Sequence, residues 1–264
     1  MVRIRLSRWL AVAVALIAAG TLVLQASGLT ITTASISFPD VTLDGTDQTV
    51  NGSTSAWRAD ATGESGGWNV TVASTAFDGG EVQEVSNDAT GGTFTLTFSG
   101  QTTAAINYNA TAATVESALE ALSNITDVTV TGSGTSSDPW LVAFVDPGSV
   151  NVAEMTADDT NMTGGTSTIT TTIEGGTTTI AVSNFQIRLL DSNILLVSGD
   201  TNKPVSTQTT FASLSGTPLK IASAAVGEGD GIYDLTPDFQ LTVPAETYIG
   251  SYQATVTITI GVGP

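Results

Sequence analysis

The sequence of 264 residues contains no cysteine and no histidine. The absence of cysteine excludes a disulfide framework, a lipid-modified cysteine and a thiol nucleophile. The absence of histidine excludes histidine metal ligands and every serine–histidine or cysteine–histidine pair. Stability must therefore come from a packed core, which the chain is long enough to build. We predict a protein that is not an enzyme.

Positive charge is also scarce, since seven lysines and arginines face 25 aspartates and glutamates. The net charge of −18 becomes −21 when the three arginines of the first 28 residues are left out. Such a chain repels nucleic acid, so we predict no nucleic-acid partner. The acidity has two interpretations: it keeps the protein soluble, or it binds divalent cations that bridge to a wall polymer.

Only one long apolar run is present, from Leu10 to Leu24, and it follows three arginines. A basic start, a short apolar run and small residues at 26–28 are typical of a secretory signal peptide. We therefore predict a removable signal peptide over residues 1–28 and an extracellular protein of the cell surface, without a membrane segment after cleavage. The alternative is a retained anchor, although 15 residues are fewer than the roughly 20 that a span needs.

Threonine, glycine and alternating apolar and polar residues are abundant, with turn signals about every ten residues. This pattern is typical of strands in a sandwich or barrel. The predicted fold is mainly β, with an antiparallel β-sandwich. Tyr233–Val243 and Ser251–Ile260 are predicted to form a closing hairpin that completes a sheet begun early in the chain. None of the predicted strands lies between Leu190 and Tyr233.

One segment departs from the alternation, because apolar residues from Val115 to Leu122 recur at helical spacing. We predict a helix over Thr111–Ser123, capped by Thr111, within a β–β–α–β–β unit. Glycine pairs at 79–80 and 175–176 mark its borders. The predicted organisation is a discontinuous β-sandwich domain, 29–79 plus 176–264, with an inserted small α+β domain at 80–175. Three consecutive domains are the alternative.

The inserted segment resembles a module that recurs in phage fibres and large bacterial surface proteins. Residues 92–122 carry the resemblance with GTFTLTFSGQTTAAINYNATAATVESALEAL, and residues 155–165 carry it with MTADDTNMTGG. The resemblance implies a module whose helix packs on a small sheet.

The flanking segments resemble the WxL-type cell-wall surface domains of bacteria. Residues 57–70 read WRADATGESGGWNV, with two tryptophans around a glycine-rich stretch, and residues 243–256 read VPAETYIGSYQATV. The chain departs from the family at Val70, where leucine is usual, and its last strand lacks a second tryptophan. The resemblance implies a β-domain that binds a cell-wall polysaccharide such as peptidoglycan, or another surface protein.

The candidate ligand-binding residues are Trp57, Asp60, Trp68 and Asn69. An exposed indole can stack on a sugar ring, and neighbouring carboxylate and amide groups can bond to hydroxyls. The alternative is that each tryptophan fills the core. No cofactor is predicted. Acids in turns, such as Asp158, leave weak Ca²⁺ binding and a carboxylate-pair glycosidase as further alternatives, although turn acids are usually bonded to the backbone.

These observations predict an exported, non-enzymatic bacterial surface protein that attaches non-covalently to the cell envelope through its WxL-like domain. The alternative is a self-assembling subunit of a surface layer, sheath or fibre, in which homo-oligomers form and Thr30–Phe38 serves as a donated strand.

Overall fold

A computed structural model of the chain describes residues 2–7, 28–146, 148–248 and 250–264. The chain divides into two compact units. The first comprises Met1–Phe77, Ile180–Thr247 and Gln253–Pro264, and the second comprises Asp78–Thr179 and Tyr248–Tyr252. The segment Tyr248–Tyr252 was not part of the predicted insertion.

The strands that lead to the second unit are β1 (Val2–Ser7), β2 (Thr30–Thr32), β3 (Ile36–Ser37), β4 (Val41–Thr42), β5 (Gln48–Thr54), β6 (Trp57–Asp60), β7 (Trp68–Ser74) and β8 (Phe77–Gly79). Then follow β9 (Val82–Asn87), β10 (Gly91–Phe98), β11 (Gln101–Thr102), β12 (Ile106–Asn107), α1 (Ala112–Glu120), β13 (Asp127–Thr131), β14 (Trp140–Asp146), β15 (Thr156–Asp158), β16 (Met162–Thr163), β17 (Ser167–Ile173) and β18 (Thr179–Ile180). The rest of the chain forms β19 (Phe185–Arg188), β20 (Ile194–Gly199), β21 (Val205–Ser206), β22 (Ala212–Ser213), β23 (Leu219–Ala224), β24 (Gly231–Leu235), β25 (Asp238–Val243), β26 (Gly250–Ala254) and β27 (Val256–Val262), with 3-10 turns at Val182–Asn184 and Asp191–Asn193.

The first unit contains two four-stranded antiparallel sheets, in the orders β2–β6–β24–β20 and β21–β23–β7–β27. Further strands pair in the order β1–β3–β5–β25–β19–β22. The alternating sequence explains these elements: in β7, Trp68, Val70 and Val72 are buried, while the residues between them are partly exposed. One face of such a strand packs inward and the other faces solvent.

Aromatic side chains form the centre of the first unit's core. The ring of Phe185 lies 5.5 Å from that of Phe239, 5.8 Å from Phe38 and 5.2 Å from Phe77. The indole of Trp57 packs on Phe239 at 5.9 Å. All five side chains are buried. Burial of apolar surface, rather than covalent cross-links, therefore stabilises this unit.

In the second unit, β13–β14–β9–β17 form one sheet, and β10 pairs with β11, β12, β15 and β16 in another. The predicted helix is confirmed as α1. The Thr111 hydroxyl caps it by accepting a hydrogen bond from the Thr114 backbone N–H at 3.3 Å. Val115 and Leu119 are buried beside a stacked pair of rings, Phe94 and Trp140, whose centroids are 5.6 Å apart.

A buried carboxylate also organises the second unit. Glu81 is fully buried, and its side chain accepts hydrogen bonds from the Val152 backbone N–H at 2.7 Å and from Gln83 Nε2 at 2.5 Å. Gln83 Oε1 in turn accepts a hydrogen bond from the Met155 backbone N–H at 2.9 Å. These bonds satisfy polar groups that would otherwise be costly to bury, and they fix the segment that follows β14.

Gly92 shows where this unit requires glycine. Its φ is +87°, and a Cβ atom placed there would overlap the backbone carbonyl oxygen of Asn161. The adjacent Gly91 has no such restriction, because a Cβ atom added at that position would meet its nearest neighbour, on Thr163, at 3.7 Å. Only the second glycine is therefore needed for the backbone to adopt this conformation.

The prediction of a mainly β fold is confirmed. The prediction of a closing hairpin is wrong, because β25 pairs with β5 and β19, whereas β27 pairs with β7. Alternation identifies strands but does not choose their partners. The prediction that the end of the chain completes a sheet begun early in the chain is confirmed, since Val262 lies opposite Trp68 in the register of β27 and β7.

Most of the predicted signal peptide lies outside the described residues, which omit 8–27. The strand β1 falls in its first part, and its backbone pairs in parallel with β3 and β4. Within the described ranges, no helix is both long enough and apolar enough to cross a membrane.

Candidate functional site

The two candidate tryptophans begin strands of different sheets, and both are buried with no exposed surface. Trp68 Nε1 donates a hydrogen bond to the Gly229 carbonyl oxygen at 2.9 Å, and its ring lies 6.0 Å from that of Tyr233. Trp57 Nε1 donates to Thr54 Oγ1 at 3.3 Å. Neither ring presents a face to solvent, so their placement favours the core interpretation over contact with a sugar.

The other two candidates lie on the same strands, Asp60 at the end of β6 and Asn69 second in β7, and both bond to backbone groups. Asp60 Oδ1 accepts a hydrogen bond from the Thr62 N–H at 3.0 Å, which forms a turn after β6. Asn69 Nδ2 donates to the Gly263 carbonyl oxygen at 2.6 Å. These side chains stabilise the loop and the last strand. The four candidates are near one another along the chain, but they do not form a surface lined by exposed rings.

The loop between the two tryptophans, residues 61–67, is held by carboxylates. Glu64 is buried, and its Oε1 accepts a hydrogen bond from the Gly66 N–H at 2.7 Å. Asp230 Oδ1 accepts one from the Gly63 N–H at 2.7 Å. Burial raises the pKa of Tyr233 nearby, and the charges of Asp200 and Asp230 raise it further. The acids of this region thus bond to backbone amides.

Acids elsewhere have similar local roles. Asp44 Oδ1 accepts hydrogen bonds from the backbone and side chain of Thr46, at 2.9 and 2.7 Å, and these bonds lower the pKa of Asp44. The backbone N–H of Thr160 likewise lowers the pKa of Asp158. Across the described ranges, no three acidic side chains are grouped so that they could hold a metal ion. Weak Ca²⁺ binding stays a prediction without an identified location.

A surface that the sequence patterns did not reveal lies on β20. Leu195, Leu196 and Val197 are 59, 39 and 46% exposed, and we call these three residues the β20 strip. They are consecutive apolar residues on a strand that is last in its sheet. Val205, on the edge strand of the other four-stranded sheet, is 55% exposed. An exposed apolar edge of this kind is typical of a protein contact surface.

No protein-family model matches the chain. Among curated proteins, it is similar to the tail sheath protein of Mycobacterium phage Bxz1, with 40% identity over 85 residues. These residues are 32% of this chain and only 14% of the sheath protein. The similarity therefore concerns a part of each protein.

Proposed function

We propose that the protein is an exported, non-enzymatic structural subunit that assembles with its own copies at the cell surface, as a layer, sheath or fibre. The observation that carries the proposal is the similarity to a tail sheath protein. The basic and apolar start of the chain supports export.

The second unit contains the stretches that resemble a module of phage fibres and bacterial surface proteins, residues 92–122 and 155–165. The second unit would then be a module that structural proteins share, and the first unit would provide contacts between subunits.

The arrangement of polar groups supports a structural rather than a catalytic role. The carboxylates of Asp44, Asp60, Glu64 and Asp230 accept hydrogen bonds from backbone amides of turns and loops. A glycosidase instead needs two carboxyl groups that face a sugar across about 5 to 9.5 Å. Groups engaged in turns stabilise local backbone conformation.

Attachment to a wall glycan is what the resemblance to WxL domains implies, and stacking of exposed tryptophan rings on sugars was one way to achieve it. Because Trp57 and Trp68 are buried, ring stacking does not support attachment. Attachment is therefore an alternative outcome of the experiment below.

The experiment measures the mass of the purified protein by sedimentation velocity over a range of concentrations, with electron microscopy of the concentrated samples. Ordered oligomers that grow with concentration are the expected result. Retention on cell-wall preparations by a protein that stays monomeric would overturn the proposal in favour of wall attachment. A monomer that is not retained would also refute assembly.

A further inference from the structure

Among the described strands, β20 pairs only with β24, so the β20 strip lies at an edge of its sheet. The strand pairs on one side with β24, where Leu195 lies opposite Asp234 and Leu196 opposite Tyr233. Val197 has no partner in this register, because the pairing shifts between Leu196 and Ser198. The side chains of the strip consequently remain exposed on both faces of the strand.

The strip is uncharged in a strongly acidic chain. From Ile194 to Gly199 there is no ionisable side chain, whereas the whole sequence has a net charge of −18. Two copies of such a protein repel each other over most of their surfaces. Contact through an uncharged apolar strip keeps most of the like charges apart and removes apolar surface from water.

Charges at the two ends of β20 are arranged asymmetrically. At its start, Lys203 Nζ donates hydrogen bonds to the carbonyl oxygens of Asp191 and Ile194, at 2.7 and 2.8 Å. At its end, Asp200 follows the strand, and its backbone N–H bonds to the Asp230 carbonyl oxygen at 2.7 Å. The start thus carries a cation beside Asp191, while the end carries two aspartates.

We infer that two copies of the chain associate through β20, as an antiparallel strand pair about a two-fold axis at Leu196. In this register Leu196 faces its symmetry mate, and Leu195 of each copy faces Val197 of the other. The start of each strand meets the end of its partner, so Lys203 approaches the partner's Asp200. A two-fold contact uses the same patch on both copies, and this apolar strip, with Lys203 near its start and Asp200 at its end, fits a second copy of itself.

This inference rests on the proposed function and names one contact within the assembly. A short strand edge buries less than the roughly 1,200 to 2,000 Å² of a stable isolated complex. We therefore expect a dimer that dissociates on dilution and gains stability when many subunits repeat the contact.

Because the chain contains no cysteine, single cysteines can test the register directly. Residues directly opposite in an antiparallel pair have Cα atoms about 4.5 to 5.5 Å apart, within the range that a disulfide bridges. Leu196→Cys in the full chain should give a covalent dimer on mild oxidation. Val226→Cys is the matched control, because Val226 is 70% exposed in a turn outside β20.

A second pair of variants tests the contact without cross-linking. Val197→Lys should weaken dimerisation by at least about tenfold in sedimentation velocity, since it places a charge against the partner's Leu195 in both halves of the interface. Val226→Lys makes the same substitution at the control site and should associate like the unchanged protein.

The outcomes distinguish an error in the β20 contact from an error in the proposed function. If the unchanged protein assembles, Val197→Lys assembles equally well and Leu196→Cys forms no covalent dimer, the β20 contact is wrong and assembly uses another surface. If the unchanged protein is monomeric at every concentration, both the contact and the proposed function are refuted.

Discussion

The substitution Trp68→Phe tests whether this tryptophan is a structural residue or a ligand contact. Its indole N–H donates a buried hydrogen bond to the Gly229 carbonyl oxygen at 2.9 Å. Phenylalanine keeps an aromatic ring but removes this donor and part of the volume. Trp57→Phe is the matched control, because Trp57 is equally buried but donates a longer bond of 3.3 Å to the Thr54 hydroxyl.

The expected losses of stability differ between the two variants. A cavity of about 40 Å³ costs about 1 kcal/mol in either case. In Trp68→Phe the Gly229 carbonyl oxygen also loses its buried partner, which costs about 1–3 kcal/mol more. We therefore expect Trp68→Phe to lose about 2–4 kcal/mol. Trp57→Phe should lose only about 1 kcal/mol, because Thr54 is partly exposed and its hydroxyl can bond to water.

Urea unfolding followed by far-ultraviolet circular dichroism measures these differences as shifts of the midpoint. The melting temperature should fall by roughly 4–16 °C in Trp68→Phe and by roughly 2–4 °C in Trp57→Phe. Equal losses in both variants would show that the bond to Gly229 contributes nothing. Unchanged midpoints in both would show that the rings lie outside the core and would restore the basis for ligand contact.

Three further predictions concern individual side chains. Glu81→Ala should destabilise the second unit by about 1–3 kcal/mol, since it removes the acceptor of the buried Gln83 amide and of the partly buried Val152 N–H, while Glu84→Ala on the adjacent strand β9 should have little effect in the same urea assay. Gly92→Ala should lower the melting temperature clearly because of its positive φ, and Gly91→Ala should leave it nearly unchanged. The bond from Arg58 holds the pKa of Asp234 below its ordinary value of 3.8, so this carboxylate contributes stability above about pH 4 that is lost as the pH falls through its lower folded pKa. Between about pH 4 and pH 2 the urea midpoint should therefore fall less in Asp234→Asn than in the unchanged protein. An equal fall in both proteins would contradict this role of Asp234.

The sequence predicted best those strands that bury one face. Alternation in Trp68–Thr75 matches β7, which is Trp68–Ser74. The strand β20 was missed because its exposed apolar residues Leu195, Leu196 and Val197 are consecutive and do not alternate with polar ones. The strand β9 was missed for a different reason: Gln83 is buried through hydrogen bonds, and a buried polar side chain breaks the hydrophobic pattern.

The burial of the tryptophans could have been predicted from the same alternation. Trp68 shares a strand face with Val70 and Val72, and all three are buried. The intervening residues face the opposite way, and Asn69 among them is partly exposed. What the sequence could not provide is the pairing of strands that are far apart in the chain, because several alternating segments are equally good partners.

The placement of the two tryptophans gives the motif at residues 57–70 a meaning in terms of fold. Trp57 begins a strand of one sheet and Trp68 a strand of the other, so the glycine-rich loop between them carries the chain from sheet to sheet. Gly67 has a φ of +76° and lies against the Ala224 carbonyl, a close approach that requires glycine. A motif built from core rings and a crossover loop can be shared between proteins without a shared ligand.

Polar side chains on the outer faces of these strands have local partners as well. Arg58 forms a bidentate ion pair with Asp234, with both N–O distances at 2.9 Å. Asn69 donates a hydrogen bond to the Gly263 carbonyl oxygen. The β20 strip, in contrast, is exposed, and among the described strands β20 pairs only with β24. Since exposed apolar edges favour pairing with another strand, the outer edge of this sheet is a better place to look for function than the tryptophan motif.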